Sequence, residues 1–254
     1  MIKELGLQLY SIRGHLDTPE DTRASFKKLH DMGYTLAQTA GCPIGCEAFG
    51  RIAHEEGIEI CGTHCSIDTM LADPQKAMDE HRMLGTTNMG IGGFFSDTMC
   101  LAEIEAFLDK VRRLTDAVCP EGFKFTYHNH SHEFCKYDGD KTMMDILVEN
   151  LDPDKTSFVL DTYWVQHAGG DVCSWIEKLA GRIDILHLKD MGVNRDRQPF
   201  ITEIGNGNMD FDKIIKTAEK TGVKYYVVEQ DTCPGDPFES VKKSSEYIHA
   251  HFMK

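Results

Sequence analysis

Phe123-Lys124-Phe125-Thr126-Tyr127-His128-Asn129-His130-Ser131-His132-Glu133 begins as an apolar, strand-like run and ends in three alternating histidines and a carboxylate. Successive side chains of a strand point to opposite faces, so His128 and His130 share one face, and His132 joins them if the extended backbone continues that far. An apolar run followed by a metal-type ligand recurs three more times. Thr156-Ser157-Phe158-Val159-Leu160 leads into Asp161, Ile183-Asp184-Ile185-Leu186 into His187, and Tyr225-Tyr226-Val227-Val228 into Glu229. A single Asp or Glu after a strand is ordinarily a turn former or helix cap, and a single His a satisfied core or surface residue. Four successive strand ends of this kind point instead to a divalent cation held at one rim of a parallel β-barrel, the end at which such barrels build their sites.

Outward from that stretch, strand-like and helix-like segments alternate along the chain. Strands are read at Leu5–Tyr10, Tyr34–Thr39, Ile58–His64, Thr87–Gly92, Phe123–Asn129, Ser157–Asp161, Ile183–His187 and Tyr225–Glu229. Helical spacing or helix-start signals mark Pro19–Met32, Phe49–Glu56, Pro74–Leu84, Leu101–Val118, Lys141–Asn150, Val172–Leu179, Phe211–Thr221 and Pro237–His251. Thr18-Pro19-Glu20-Asp21, Asp73-Pro74 and Asp236-Pro237 are N-caps followed by a proline at the first helical position. Glycines such as Gly85 and Gly222 sit where helices end in left-handed backbone. Eight β-α units in 254 residues fit an α/β chain folded as one (β/α)₈ TIM barrel, a single domain over residues 1–254. The alternative, a doubly wound open sheet, lacks a glycine fingerprint after its first strand.

Composition narrows the function. The net charge of −14 opposes a phosphate-backbone partner, so nucleic acid is a poor substrate. The run Met1-Ile2-Lys3-Glu4 has no signal-peptide pattern and no apolar run is long enough to span a bilayer, so a cytoplasmic chain without a membrane partner is expected. Nine scattered cysteines read as reduced thiols, with Cys42/Cys46 and Cys61/Cys65 a minor zinc alternative. Nothing in the composition opposes a homo-oligomer. At the rim, Gln8 and Tyr10 close the first strand, Gln38 the second, His64 the third and Gly90-Ile91-Gly92-Gly93 the fourth, where their polar groups face a small hydroxylated ligand. Past the strand ends Lys189 offers a cation, Trp164 an aromatic face and Glu203 a carboxylate that is a weaker candidate for outer support.

Six motifs in register, Leu9-Tyr10-Ser11-Ile12-Arg13, Tyr127-His128-Asn129-His130 with Glu133-Phe134, Leu160-Asp161-Thr162-Tyr163-Trp164, His187-Leu188-Lys189-Asp190, Gly205-Asn206-Gly207 and Val228-Glu229-Gln230-Asp231, resemble the sugar-phosphate isomerase/epimerase family of xylose-isomerase-like TIM barrels. The resemblance covers the whole chain. It implies a divalent metal, commonly manganese, on residues of the fifth to eighth strands, with Asp161, His187 and Glu229 on three of those positions and His64, Lys189 and Trp164 approaching the substrate. Ketose epimerases of this kind place a glutamate on the fifth strand. Here His128 stands there, with Glu133 five residues later as the competing ligand. Magnesium, cobalt, iron or zinc would also be accepted.

The chemistry shared by such enzymes is removal of a proton from carbon next to a carbonyl, through an enediolate that a divalent cation stabilises. Glu229 is the first candidate for the base, followed by Glu133, His130 and His64. A metal-dependent isomerase or epimerase of a small keto-sugar is the leading expectation. A lyase or dehydratase acting on a keto-sugar, inosose or oxidised glycoside is second, and a non-catalytic sugar-binding subunit a distant third.

Overall fold

The computed structural model describes residues 2–96, 98 and 100–253; Met1, at the head of the N-terminal run, lies outside them. Eight parallel strands carry the fold: β1 (Leu5–Gln8), β2 (Leu36–Thr39), β3 (Glu59–Thr63), β4 (Asn88–Ile91), β5 (Lys124–His128), β6 (Thr156–Asp161), β7 (Ile183–Leu188) and β8 (Tyr225–Val228). They pair in the order β3-β2-β1-β8-β7-β6-β5-β4. Around them run α1 (Pro19–Asp31), α2 (Cys46–Glu55), α3 (Ile67–Ala72), α4 (Pro74–Leu84), α5 (Leu101–Val118), α6 (Met143–Asn150), α7 (Thr162–His167), α8 (Val172–Lys178), α9 (Phe211–Thr221) and α10 (Pro237–His251). A parallel strand covered by helices on one side and closed on the other is buried on both faces, which is why β6 and β7 read as near-continuous apolar runs and are buried at every position.

The predicted caps form. Thr18 Oγ1 accepts from Asp21 N, Asp73 Oδ1 from Lys76 N and Asp236 Oδ1 from Phe238 N, each satisfying a helical N–H that has no partner within its own helix. Gly85 and Gly222 end α4 and α9 at φ 78° and 81°.

The ends of the ordered sheet, β3 and β4, meet at a seam. Cys65 N donates to Gly90 O at 2.8 Å, Gly90 N to Thr63 Oγ1, and Asn88 Nδ2 to Cys61 O, so side chains take over where the ladder thins. Gly90 is required here: a Cβ would lie 2.2 Å from Thr63 O. Inside the barrel, Leu36, Cys61, Val159, Ile185 and Val227 form a dry layer separate from the larger core under the helices. The two-residue period of a strand then sets what lies above it. Two positions beyond Leu36, Val159, Ile185 and Val227 come Gln38, Asp161, His187 and Glu229. The apolar layer forms the floor of a polar site.

One expectation is corrected. Strand β5 ends at His128, and residues 132–134 form a 3-10 turn, so His132 does not continue the alternation. Two antiparallel hairpins, Lys136–Asp138 with Lys141–Thr142 and Asp190–Val193 with Pro199–Thr202, and the short helices α3 and α7 were not anticipated.

Candidate metal centre

His128, Asp161, His187 and Glu229, from the ends of β5 to β8, turn one ligand atom each into the barrel mouth, and all four atoms lie within 4.8 Å of one another. His128 Nε2 is 3.4 Å from Asp161 Oδ2 and 3.9 Å from Glu229 Oε2; His187 Nδ1 is 3.7 Å and 2.9 Å from the same two oxygens. Each imidazole uses its other nitrogen outside the cluster. His128 Nδ1 donates to the Gly92 carbonyl at 3.3 Å, and His187 Nε2 donates to Gln38 Oε1. Those acceptors hold the proton on the outer nitrogens and leave lone pairs facing inward, the arrangement that metal-binding histidines adopt. His187 Nδ1 and Glu229 Oε2 stand 2.9 Å apart, with the Lys189 ammonium 2.8 Å from the same oxygen. At that separation the imidazole and the carboxylate share either a proton or a metal cation.

Charge makes the same case. Lys189 is wholly buried, its ammonium 2.9 Å from Asp161, 2.8 Å from Glu229 and 3.1 Å from Asp231. Three carboxylates against one ammonium leave two negative charges uncompensated. Asp161 and Glu229 are buried and Asp231 is partly exposed, and the buried share of that charge is costly without a counter-ion. A divalent cation neutralises the set, so the residues fit one. Two imidazoles and two carboxylates suit manganese, iron, cobalt or zinc.

Titration follows these contacts. Burial alone would raise the carboxyl groups of Asp161 and Glu229, but the Lys189 ammonium, with help from His187 and His128, outweighs it and holds both below the usual carboxylate range. Burial would lower His187, yet Glu229 and Asp161 raise it. Asp231 is raised by burial against the pull of Lys189. His64 is held well below the ordinary imidazole value by burial and by the neighbouring rings of His128 and His187, and burial takes His130 down to about 3.

Above the four ligands opens a cavity of about 590 Å³, lined by Tyr10, His64, Phe95, His130 and Asp231 among others. His64 stacks on His128 with ring centroids 5.0 Å apart, and His130 meets His128 edge-on at 4.7 Å. Trp164 lies 5.2 Å from His130, with the Lys189 ammonium 5.3 Å from its ring centre. Tyr10 is half-exposed at the mouth under the Arg13 guanidinium. Gln8 is fully buried between Gln38 and His64.

Glu133 is the sequence candidate that does not join the centre. Its Oε1 accepts from Tyr127 Oη at 2.9 Å and its Oε2 from His130 N at 2.7 Å, placing it with His130 and His132 in a second group. His132 hydrogen bonds Phe94 O. Glu203 is also elsewhere, bonded to Thr202, Asn206 and Ser240. The Gly205-Asn206-Gly207 turn has a structural explanation: N–H groups of Gly205, Gly207, Met191 and Met209 converge on Asp190, and a Cβ at Gly207 would lie 2.3 Å from that carboxylate. Asp161 plays both of its possible parts, since Oδ1 caps α7 through Trp164 N while Oδ2 faces the ligands. Asp231 went unassigned in the sequence; its place two residues after Glu229 was the available signal. Among the described residues, no cysteine enters either cluster of possible metal ligands, and all nine are free.

Comparison with known proteins gives the family and the fold. The family model described as xylose isomerase-like TIM barrel matches residues 26–251. An inosose dehydratase of Geobacillus thermodenitrificans is 28% identical over 165 residues, covering 58% of this chain and 54% of that protein. One from Geobacillus kaustophilus is 26% identical over 259 residues, covering 94% and 71%. The chain thus spans about half the length of most of the curated relatives it matches. The crystal structure of a sugar phosphate isomerase/epimerase from Parabacteroides distasonis superposes with a TM-score of 0.83 at 24% identity, over 98% of this chain and 94% of that one, a likeness of fold.

Proposed function

We propose, from the premise that this chain belongs to the xylose isomerase-like TIM barrel family, that it is a divalent-metal-dependent enzyme removing a proton from the carbon next to a carbonyl of a small polyhydroxylated ketone, a keto-sugar or an inosose. The observation that carries this reading is the set of inward lone pairs on His128 Nε2, Asp161 Oδ2, His187 Nδ1 and Glu229 Oε2 beneath an open cavity. A divalent cation held there, manganese by preference, would supply Lewis acidity to a carbonyl and its neighbouring hydroxyl.

The chain's own residues supply the rest. Glu229 is the base. Lys189 keeps it ionised at 2.8 Å, which makes it ready but weak, so most of the driving force must come from acidifying the carbon rather than from the base. Epimerisation requires bases on both faces of one carbon. Glu133, the carboxylate that would serve as the second, is committed to Tyr127 and His130. We therefore favour one-base chemistry in which Glu229 takes the α-proton and returns it to the departing β-hydroxyl, so that water leaves, a dehydration in keeping with relatives named inosose dehydratase. Isomerisation is the second reading, because a single carboxylate can return the proton to the adjacent carbon.

Incubation of metal-loaded protein in D₂O with 3-keto-sugars, inososes and ketoses, followed by NMR, separates the outcomes by deuterium position and by loss of water. Glu229→Gln keeps an oxygen ligand and removes the strong base. It is expected to lower α-proton exchange at least about 10²-fold while retaining metal. Exchange at the parent rate would move the base to His130, whose Nδ1 is buried without a partner.

A further inference from the structure

The proton positions around the centre follow from one unambiguous donor. The backbone N–H of Tyr10 can only donate, and it points at Gln8 Oε1, 3.2 Å away. The other end of that amide is therefore NH₂, and its two protons have two receivers: Gln38 Oε1 at 3.0 Å and His64 Nδ1 at 3.2 Å. Gln38 must consequently turn its oxygen, not its nitrogen, towards Gln8. The same oxygen meets His187 Nε2, so that nitrogen must be the donor and, in the neutral ring, His187 Nδ1 carries the lone pair. His64 Nδ1, as an acceptor, leaves its proton on Nε2. That atom is buried without a partner in a residue lining the cavity beside His128 and Glu229.

We propose that Gln8 is a positioning residue that sets both tautomers at once. It makes His187 a ligand through Nδ1, and it makes His64 a hydrogen-bond donor through Nε2 to a carbonyl or hydroxyl oxygen of the substrate. His64 then has no lone pair facing the cavity and does not serve as a base. The donor role rests on the proposed function; the proton positions do not. Burial of Gln8 at zero exposure, with three side-chain hydrogen bonds ordering it, keeps the amide from turning over.

Protein labelled with ¹⁵N at histidine, examined by long-range ¹H–¹⁵N NMR without metal and with Zn²⁺ as a diamagnetic probe, reads the tautomers directly. The unmodified protein is expected to show His64 with an unprotonated, pyridine-type Nδ1 and a protonated Nε2 in both states. Gln8→Met, similar in size and without donors, is expected to abolish that preference and to weaken Zn²⁺ binding by less than the about 10–100-fold that loss of a residue bonded directly to a ligand costs, because Gln8 acts on His187 through Gln38. Gln8→Glu, which presents an acceptor in place of the NH₂, is expected to move the His64 proton to Nδ1. A protonated Nδ1 at His64 in the unmodified protein overturns the proposal. So does a Gln8→Met protein with an unchanged His64 pattern and unchanged Zn²⁺ affinity. Should neither variant fold, the unmodified spectrum decides. None of these readouts uses a substrate, so failure to find a reaction leaves them independent.

Discussion

Lys189→Met removes the ammonium and keeps most of the side-chain stem. In the metal-free protein it leaves Asp161 and Glu229 buried, and Asp231 partly buried, with no counter-charge. Breaking a buried ion pair by deleting one partner costs about 3–5 kcal/mol, because the remaining charge stays desolvated. A domain of this size shifts its Tm by about 2–4 °C per kcal/mol, so the metal-free variant is expected to melt roughly 6–20 °C below the parent. A divalent cation partly reverses the loss. The negative charge left at the site rises from two to three, binding tightens, and stabilisation grows with the logarithm of ligand concentration over Kd. Differential scanning calorimetry of parent and variant, each with EDTA and with excess Mn²⁺, tests both parts. The metal-induced rise should be larger in the variant. Equal melting temperatures in EDTA, or a smaller metal-induced rise in Lys189→Met, would refute the charge balance.

Metal affinity should depend on pH through His187, whose raised value in the metal-free chain means a proton competes for Nδ1. Competition titrations against a chelator from about pH 8 down to about pH 5 should show affinity falling by about tenfold per unit once the pH is below that value, and a flat profile would exclude His187 as a ligand. The sign for the metal-free fold is opposite: the protonated ring stabilises it fully below the ordinary imidazole value, and this is lost as pH rises through the raised one. Gly90→Ala places a Cβ 2.2 Å from Thr63 O and 2.6 Å from Thr126 Oγ1, and should cost about 1–3 kcal/mol in urea unfolding; an unchanged midpoint would mean the β3–β4 seam yields freely. Tyr127→Phe takes one donor from buried Glu133 and should cost about 1–3 kcal/mol with metal content unchanged by elemental analysis. Loss of metal in that variant would return Glu133 to the ligand set.

The barrel was legible because its strands are buried on both faces and its helices are capped by short-range signals. A run such as Tyr225-Tyr226-Val227-Val228 needs no partner to be recognised, and Asp73-Pro74 states a helix start by itself. The four candidate metal-binding residues were legible because each stands one step beyond such a run, where strand periodicity still governs direction. Glu133 lies five residues past the end of β5, in a turn, where periodicity has lapsed and the carboxylate follows the Tyr127 hydroxyl instead. Helices α3 and α7 span only six residues each and leave no periodic trace. The surroundings of Lys189 were illegible for another reason. Its partners come from the ends of β6 and β8, and proximity between strand ends is a property of the closed barrel rather than of any window of sequence.

His128 links the charge of the site to its chemistry. A glutamate at this point on β5, the ketose-epimerase pattern from which this sequence departs, would add a fourth carboxylate and leave three negative charges after Lys189, one more than a divalent cation neutralises. The imidazole avoids that excess, and the Gly92 carbonyl fixes which of its nitrogens faces inward. With an imidazole at residue 128, this position on β5 offers no second carboxylate beside Glu229 to act as a base. Under the proposed function, neutrality and one-sided proton transfer are two results of one residue. On that proposal a reaction that takes a proton and expels a hydroxyl suits this centre better than one that must deliver the proton to the other face.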